Sequence, residues 1–325
     1  MLSLIIRRLI QSFLVMLAVT LIAFIMFRFA GDPVNQMVGV ETTQAERQTL
    51  REDLGLDQPT IVQFGHYIGR VMQLDFGMSF QFRRPVMDLL AERLPATLEL
   101  AFVATLLSLS AGIVLGVYCA LKPRGILSSL LQSVSLVGVS LPTFLIGILL
   151  IYVFSVSLGW LPSFGRNGLV PVTAHWSTGL LTSDGWKSLI LPAVTLGLFQ
   201  MTLIMRLVRS EMLEVLRADF IRFAVARGLP KSRIYFRHAL RNTLIPVITV
   251  VGLQIGSIIA FSVITETVFQ WPGVGLLFLQ SVQTADVPIM STYLLLIAFL
   301  FVMINLAVDL IYNAVDPRLK QKNRT

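Results

Sequence analysis

Residues 206–246 read RLVRSEMLEVLRADFIRFAVARGLPKSRIYFRHALRNTLIP, a basic segment set between two hydrophobic runs. Nine Lys or Arg side chains (Arg206, Arg209, Arg217, Arg222, Arg227, Lys231, Arg233, Arg237 and Arg241) stand against three acids (Glu211, Glu214 and Asp219). Leu213, Leu216, Phe220, Phe223 and Ala224 follow one helical face, with Arg217, Asp219 and Arg222 facing elsewhere. The spacing therefore predicts an amphipathic helix rather than a disordered tail. Gly228 followed by Leu229-Pro230 ends it. A second helix over 231–241 leads to Pro246 at the next apolar run. Such a loop is cheapest on the cytosolic side of a membrane, and its apolar face is fit to dock into a groove there. A solvated basic face near anionic headgroups stays open as the blander reading.

The composition around this loop is that of a membrane protein. The chain is 55% hydrophobic and 14% charged, with a mean hydropathy of +0.78, against about 25% charged residues in soluble domains. A helix needs about 20 apolar residues to cross a hydrocarbon core. Six runs meet that length, near 8–29, 96–121, 129–156, 188–208, 243–266 and 291–314. Arg7 and Arg8 before the first run resemble the start of a signal peptide. The run is longer than a signal's apolar core, however, and no A-x-A site follows, so an uncleaved anchor is expected.

Basic residues set the orientation. With the N-terminus inside, the cytosolic segments hold seventeen Lys or Arg residues and the outer ones eight, while Arg28 snorkels at the outer end of the first span. Six crossings then place both termini in the cytosol. The net charge of +8 and the pI near 10.1 thus reflect topology, and no nucleic-acid partner is expected. The single cysteine, Cys119, excludes an intramolecular disulfide.

Three regions follow: an N-terminal transmembrane helix (1–30), an extracytoplasmic cap (31–95), and a transmembrane domain (96–325) carrying the cytosolic loop 206–242. In the cap, Thr43 and Glu46 have the form of a capping box, and Leu50 and Leu54 continue one face before Gly55. A second helix is expected over 60–73, and a third from Pro85 through Leu94. A segment this small with few large apolar positions leans on the membrane part. Within the spans, Ser108, Gly112, Gly116 and Ala120 form a line of small residues, as do Gly252 and Gly256, which predicts packing seams.

Motifs for intrinsic chemistry are missing from the sequence. There is no G-x-x-x-x-G-K-[ST], no H-E-x-x-H and no G-x-S-x-G, and His66, His175 and His238 are far apart with no ligand-spaced neighbours. No catalytic residue, metal site or bound cofactor is expected. Among intramembrane polar groups, Gln200, Gln254, Glu266 and Asn305 are candidates for a translocation path, with interhelical hydrogen bonding as the structural alternative. Glu99 and Asp309 sit nearer the span ends.

At the basic loop the chain resembles the permease subunits of ABC importers, in the dipeptide/oligopeptide/nickel branch. Ala224-Val225-Ala226-Arg227-Gly228-Leu229 and His238-Ala239-Leu240-Arg241-Asn242-Thr243-Leu244-Ile245-Pro246 match the branch's loop, with Arg222 where the general signature has a glutamate. Gly31-Asp32-Pro33, Leu54-Gly55-Leu56-Asp57-Gln58-Pro59, Asp75-Phe76-Gly77-Met78-Ser79, Arg93-Leu94-Pro95-Ala96-Thr97-Leu98-Glu99-Leu100, Leu158-Gly159-Trp160-Leu161-Pro162, Glu266 through Gly275 and Asp316-Pro317-Arg318 extend the likeness over nearly the whole chain. Ala285-Asp286-Val287-Pro288 departs from it, since the branch often has Arg-Asp before Tyr-Pro there.

The resemblance implies an all-α, six-helix permease of MetI-like fold in the bacterial cytoplasmic membrane, the B-type member of a permease pair. Its partners would be a second, homologous permease, two ATP-binding subunits holding ATP and Mg²⁺, an extracytoplasmic solute-binding protein and membrane lipid. Phe220, Phe223, Ala224, Ala226, Arg227 and Gly228 would form the coupling helix, with Leu244 and Pro246 closing the loop; small Ala224 and Gly228 would permit close approach. The implied cargo is di- or oligopeptides, with nickel chelates, glutathione and opines as alternatives carried by the same mechanism. An ion-gradient secondary transporter and a non-transporting scaffold or sensor remain as readings from other classes.

Overall fold

The computed structural model describes residues 2–29, 43–53, 57–173 and 176–315. Its elements in chain order are α1 (Leu2–Phe29), α2 (Gln44–Asp53), α3 (Thr60–Met72), α4 (Val86–Leu121), α5 (Ile126–Ser140), α6 (Thr143–Leu150, continued by a π-turn over Ile151–Ser157), β1 (Val170–Thr173), β2 (Trp176–Thr178), α7 (Ser183–Val215), α8 (Asp219–Ala226), α9 (Leu240–Val268, entered through a π-turn over Arg233–Ala239), α10 (Val274–Gln283) and α11 (Val287–Val315). Among the described residues α1, α4, α7 and α11 are long and apolar enough to cross a membrane, and two bent pairs bring the number to six if each pair is one span.

Proline explains where the expected spans differ. The run near 129–156 is a pair bent by 114° rather than a straight helix. Pro142 disfavours helical backbone at Leu141 and opens α6 from an extended conformation. Pro95, by contrast, does not end the helix that Pro85 opens. α4 runs through it as one 36-residue helix that joins the expected cap helix to the second span. The break sacrifices only the bond to the Ala91 carbonyl, and buried Leu90, Ala96 and Leu100 hold the helix in line on either side. The helix expected over 231–241 is likewise not separate, because it continues through its π-turn into α9.

Lipid supplies no hydrophobic drive between helices, so close backbone approach must hold the bundle. The small-residue seams provide it. A Cβ on Gly112 would stand 2.8 Å from Ile204, and one on Gly116 2.7 Å from the Met205 carbonyl, so α4 and α7 touch along that line. Ser108 Oγ donates across the same seam to the Gly197 carbonyl at 2.8 Å. Gly252 and Gly256 meet Val308 and Phe301, seating α9 on α11. α1 lies against α11, and the ion pair of Arg8 with Asp309 at 2.9 Å sets the start of one beside the end of the other.

The cap leans on the bundle. Thr43 and Glu46 form the expected capping box: the Thr43 N–H donates to the Glu46 carboxylate at 3.0 Å, which holds that carboxyl below its usual range. Phe64 and Tyr67 of α3 pack on Phe24 at ring separations of 5.3 and 5.7 Å, and the Arg28 guanidinium donates to Thr60. Ser79 Oγ and the Gln81 N–H donate to Asp286 at 2.6 and 3.1 Å, fastening the strap before α4 to the turn before α11. The expectations for Leu54, Gly55, Gly31-Asp32-Pro33 and Asp316-Pro317-Arg318, and for the side chain of Leu50, lie outside the described residues.

Candidate functional site: a helix on the loop face and a cavity in the bundle

The loop first builds a short helix. α7 stops at Val215, Leu216 to Ala218 form a turn, and Ala218 is extended (φ −67°, ψ 150°) before α8 begins with Asp219. The turn resets the helical phase, so Leu213 and Leu216 do not share a face with Phe220 and Phe223. Ile221 (4% exposed) and Ala224 (7%) turn inward, into a cluster with Val117, Ala120, Val208, Met212 and Ile234. Phe220 (46%), Phe223 (64%) and Val225 (59%) point outward. The anchoring residue Ile221 was missed because a continuous helix was assumed across 216–218.

Beyond α8 the chain reverses. Gly228 has φ +73°; its N–H donates to the Val225 carbonyl at 2.9 Å, and that of Leu229 to the Ala224 carbonyl at 3.3 Å. These are the two bonds of a Schellman cap, and Leu229 packs against the cluster that holds Ala224. A Cβ on Gly228 would meet nothing within 4 Å, so the glycine serves the positive φ and not a close approach. Buried Ala224 likewise gives closeness within its own chain. Ala226, Arg227 and Gly228 are exposed, and the Arg227 guanidinium lies 5.5 Å from the centre of the Phe223 ring. Arg222 and Asp219 pair at 3.3 Å in open solvent, a contact of little energetic weight. Leu244 and Pro246 are half-buried within α9, near the root of the same cluster.

The candidate path residues separate into three settings. Gln200 of α7 and Gln254 of α9 share a cavity of about 280 Å³ with Thr143, Phe199, Ser257 and Phe261. Gln200 is 4% exposed and its Nε2 has no hydrogen-bond partner among the described residues. Ser257 Oγ donates to Gln254 Oε1 at 3.0 Å. Asn305 is not among the lining residues and donates within α11, to the Phe301 carbonyl at 2.9 Å.

Glu266 is fully buried and tied on both oxygens. Thr97 Oγ1 (2.6 Å) and Ser262 Oγ (3.1 Å) donate to one, and the Leu276 N–H (2.9 Å) to the other. Trp271 Nε1 donates to the Ala96 carbonyl at 2.9 Å, so the segment between α9 and α10 is laced to α4. Beside it Arg166 bonds Glu99 and the Ser177 carbonyl, with its guanidinium 5.8 Å from the Trp271 ring. Sequence spacing gives no sign that Arg166 belongs to Glu99, 67 positions away. The one legible hint is a cation in the connection between two apolar runs that has to find a partner if buried.

Two family matches cover the chain. Residues 1–101 match the N-terminal region of a binding-protein-dependent transport system membrane component, and residues 112–321 the binding-protein-dependent transport system inner membrane component itself. The chain is 40% identical to the di/tripeptide transport system permease protein DppB of Pseudomonas aeruginosa, over 99% of this chain and 100% of that one. It is 41% identical to the dipeptide transport system permease protein DppB of Haemophilus influenzae, over 97% and 98%. An inward-facing crystal form of the MetNI methionine ABC transporter superposes with a TM-score of 0.56 at 20% identity, covering 71% of this chain and 97% of that one, a likeness of fold alone. With this helical architecture and near-complete matches to it, the chain belongs to the binding-protein-dependent transport system inner membrane components, the multi-pass permease subunits of ABC importers.

Proposed function

We propose that this chain is the driven half of a peptide importer: a permease that forms the path for di- or oligopeptides and is moved through α8 by an ATPase. The peptides named for its relatives support the cargo. As a member of its family it is a transport subunit and not an enzyme; in this reading ATP and Mg²⁺ are held by two ATP-binding partners. A second, homologous permease completes the path, and a binding protein delivers solute at the face carrying residues 31–95. Both termini lie in the cytosol, with 1–30, 31–95 and 96–325 as anchor, cap and permease domain.

The observation that carries this reading is the division of α8 into two faces. Ile221 and Ala224 bolt the helix to the inner ends of α4, α7 and α9, while Phe220 and Phe223 stand exposed with Arg227 at their edge. An apolar ridge on a rigidly held helix suits a groove in a partner, and the arginines suit acids at its rim. A push on the exposed face is therefore delivered to the transmembrane helices rather than lost in the loop.

Phe223→Asp, on the exposed face, tests this. Co-elution with the ATP-binding subunits and ATP-driven uptake are expected to fall at least tenfold, while membrane insertion and thermal stability match the wild type. Normal co-elution and uptake would remove α8 from the coupling role. Ala224→Arg is unsuited to the purpose, because it buries a cation in the chain's own core and reads folding.

A further inference from the structure

We infer that Gln200 and Gln254 form a charge-blind hydrogen-bonding station in the transport path, one that engages an uncharged amide group of the passing solute. The inference rests on the permease reading above and adds a recognition step within the membrane.

The cavity pairs polar points with apolar walls. Phe199 and Phe261, 44% and 65% exposed, stand beside two carboxamides and the hydroxyls of Thr143 and Ser257. At about 280 Å³ it is at the small end of ligand sites. Among the described residues no Asp, Glu, Lys, Arg or His lines it. Gln200 keeps an amide donor buried with no partner among the described residues, an arrangement native structures avoid unless another group completes it. Gln254 is already oriented, since Ser257 Oγ donates to its Oε1 at 3.0 Å.

Two carboxamides offer donors and acceptors together. A secondary amide presents both in return, whereas a carboxylate only accepts and an ammonium only donates. With no charged side chain in the lining among the described residues, an ionised side chain of either sign meets the same surroundings, so neither sign is preferred. The station thus reads the group common to all peptides and is indifferent to the sign of charge on their side chains.

The test uses the assembled importer in proteoliposomes with one fixed binding protein, so that any change in preference arises in this chain. ATP-driven uptake of glycylglycine, its N-methylated counterpart glycylsarcosine, glycylglutamate and glycyllysine is measured for the wild type, Gln200→Leu and Gln200→Glu. Gln200→Leu is expected to raise the KM for glycylglycine about tenfold with little change in kcat, and to erase the preference over glycylsarcosine. Gln200→Glu, nearly isosteric, is expected to create a charge preference, disfavouring glycylglutamate about tenfold relative to glycyllysine. Wild-type KM values and ratios in both variants would overturn the station. Failure of every Gln200 variant to assemble, the Glu variant included, would make the amide a packing group and overturn it equally. Absence of ATP-driven uptake by the wild type would strike the permease reading itself, and the station with it.

Discussion

The backbone N–H of Leu229 donates to the carbonyl of Ala224 at 3.3 Å and closes α8 over Gly228 at φ +73°. The helix proposed to meet the ATPase is thus finished by a cap whose left-handed turn glycine makes without strain. Gly228→Ala is expected to cost about 1–2 kcal/mol of local stability, and Gly228→Asn less, since Asn tolerates that region. Thermal unfolding in detergent and co-elution with the ATP-binding subunits should therefore rank Gly, Asn, Ala. Equal behaviour of all three would remove the cap from the account.

The same cap recurs after α10 with the wrong residue in it. Ala285 has φ +54°, its N–H donates to the Val282 carbonyl at 3.3 Å, and that of Asp286 to the Ser281 carbonyl at 2.9 Å. Ala285→Gly should relieve strain there and raise stability by about 1 kcal/mol. A higher unfolding midpoint with unchanged uptake is the expected outcome. A lower midpoint would mean that the methyl group contributes more by packing than it costs in backbone.

Arg166 and Glu99 are 5% and 4% exposed, and each leaves one further polar atom, Nε and Oε1, without a partner among the described residues. Removing one member strands the other charge in the interior. Arg166→Met alone is expected to destabilise by about 3–5 kcal/mol, and Arg166→Met combined with Glu99→Gln to recover most of that loss. Additive losses in the double variant, measured by thermal unfolding, would show that the two residues do not depend on each other.

Much of this molecule is legible in its sequence where the physics is local. Small residues every four positions foretold a packing seam, which the structure places between α4 and α7, because only missing side chains let backbones meet that closely. Thr43 and Glu46 announced their capping box, and Gly228 the end of α8. Proline was harder to judge, since Pro142 breaks a helix and Pro95 does not, and packing decided between them. The candidate path was legible as a list but not as a place. Gln200 and Gln254 meet at one cavity, whereas Glu266 is consumed by Thr97, Ser262 and the Leu276 N–H. The inward face of α8 was misread because three turn residues shift its phase. Pairs such as Ser79 with Asp286, 207 positions apart, leave no periodic trace at all.

The central claim is that ATP hydrolysis on partner subunits, and not an ion gradient, moves solute through this chain. Its most direct test is dipeptide uptake into proteoliposomes holding the full importer, with and without an uncoupler, using wild-type ATP-binding subunits and a hydrolysis-dead form. The account predicts uptake that persists with the uncoupler and vanishes with the dead ATPase. Uptake that survives the dead ATPase but collapses with the ion gradient would contradict it.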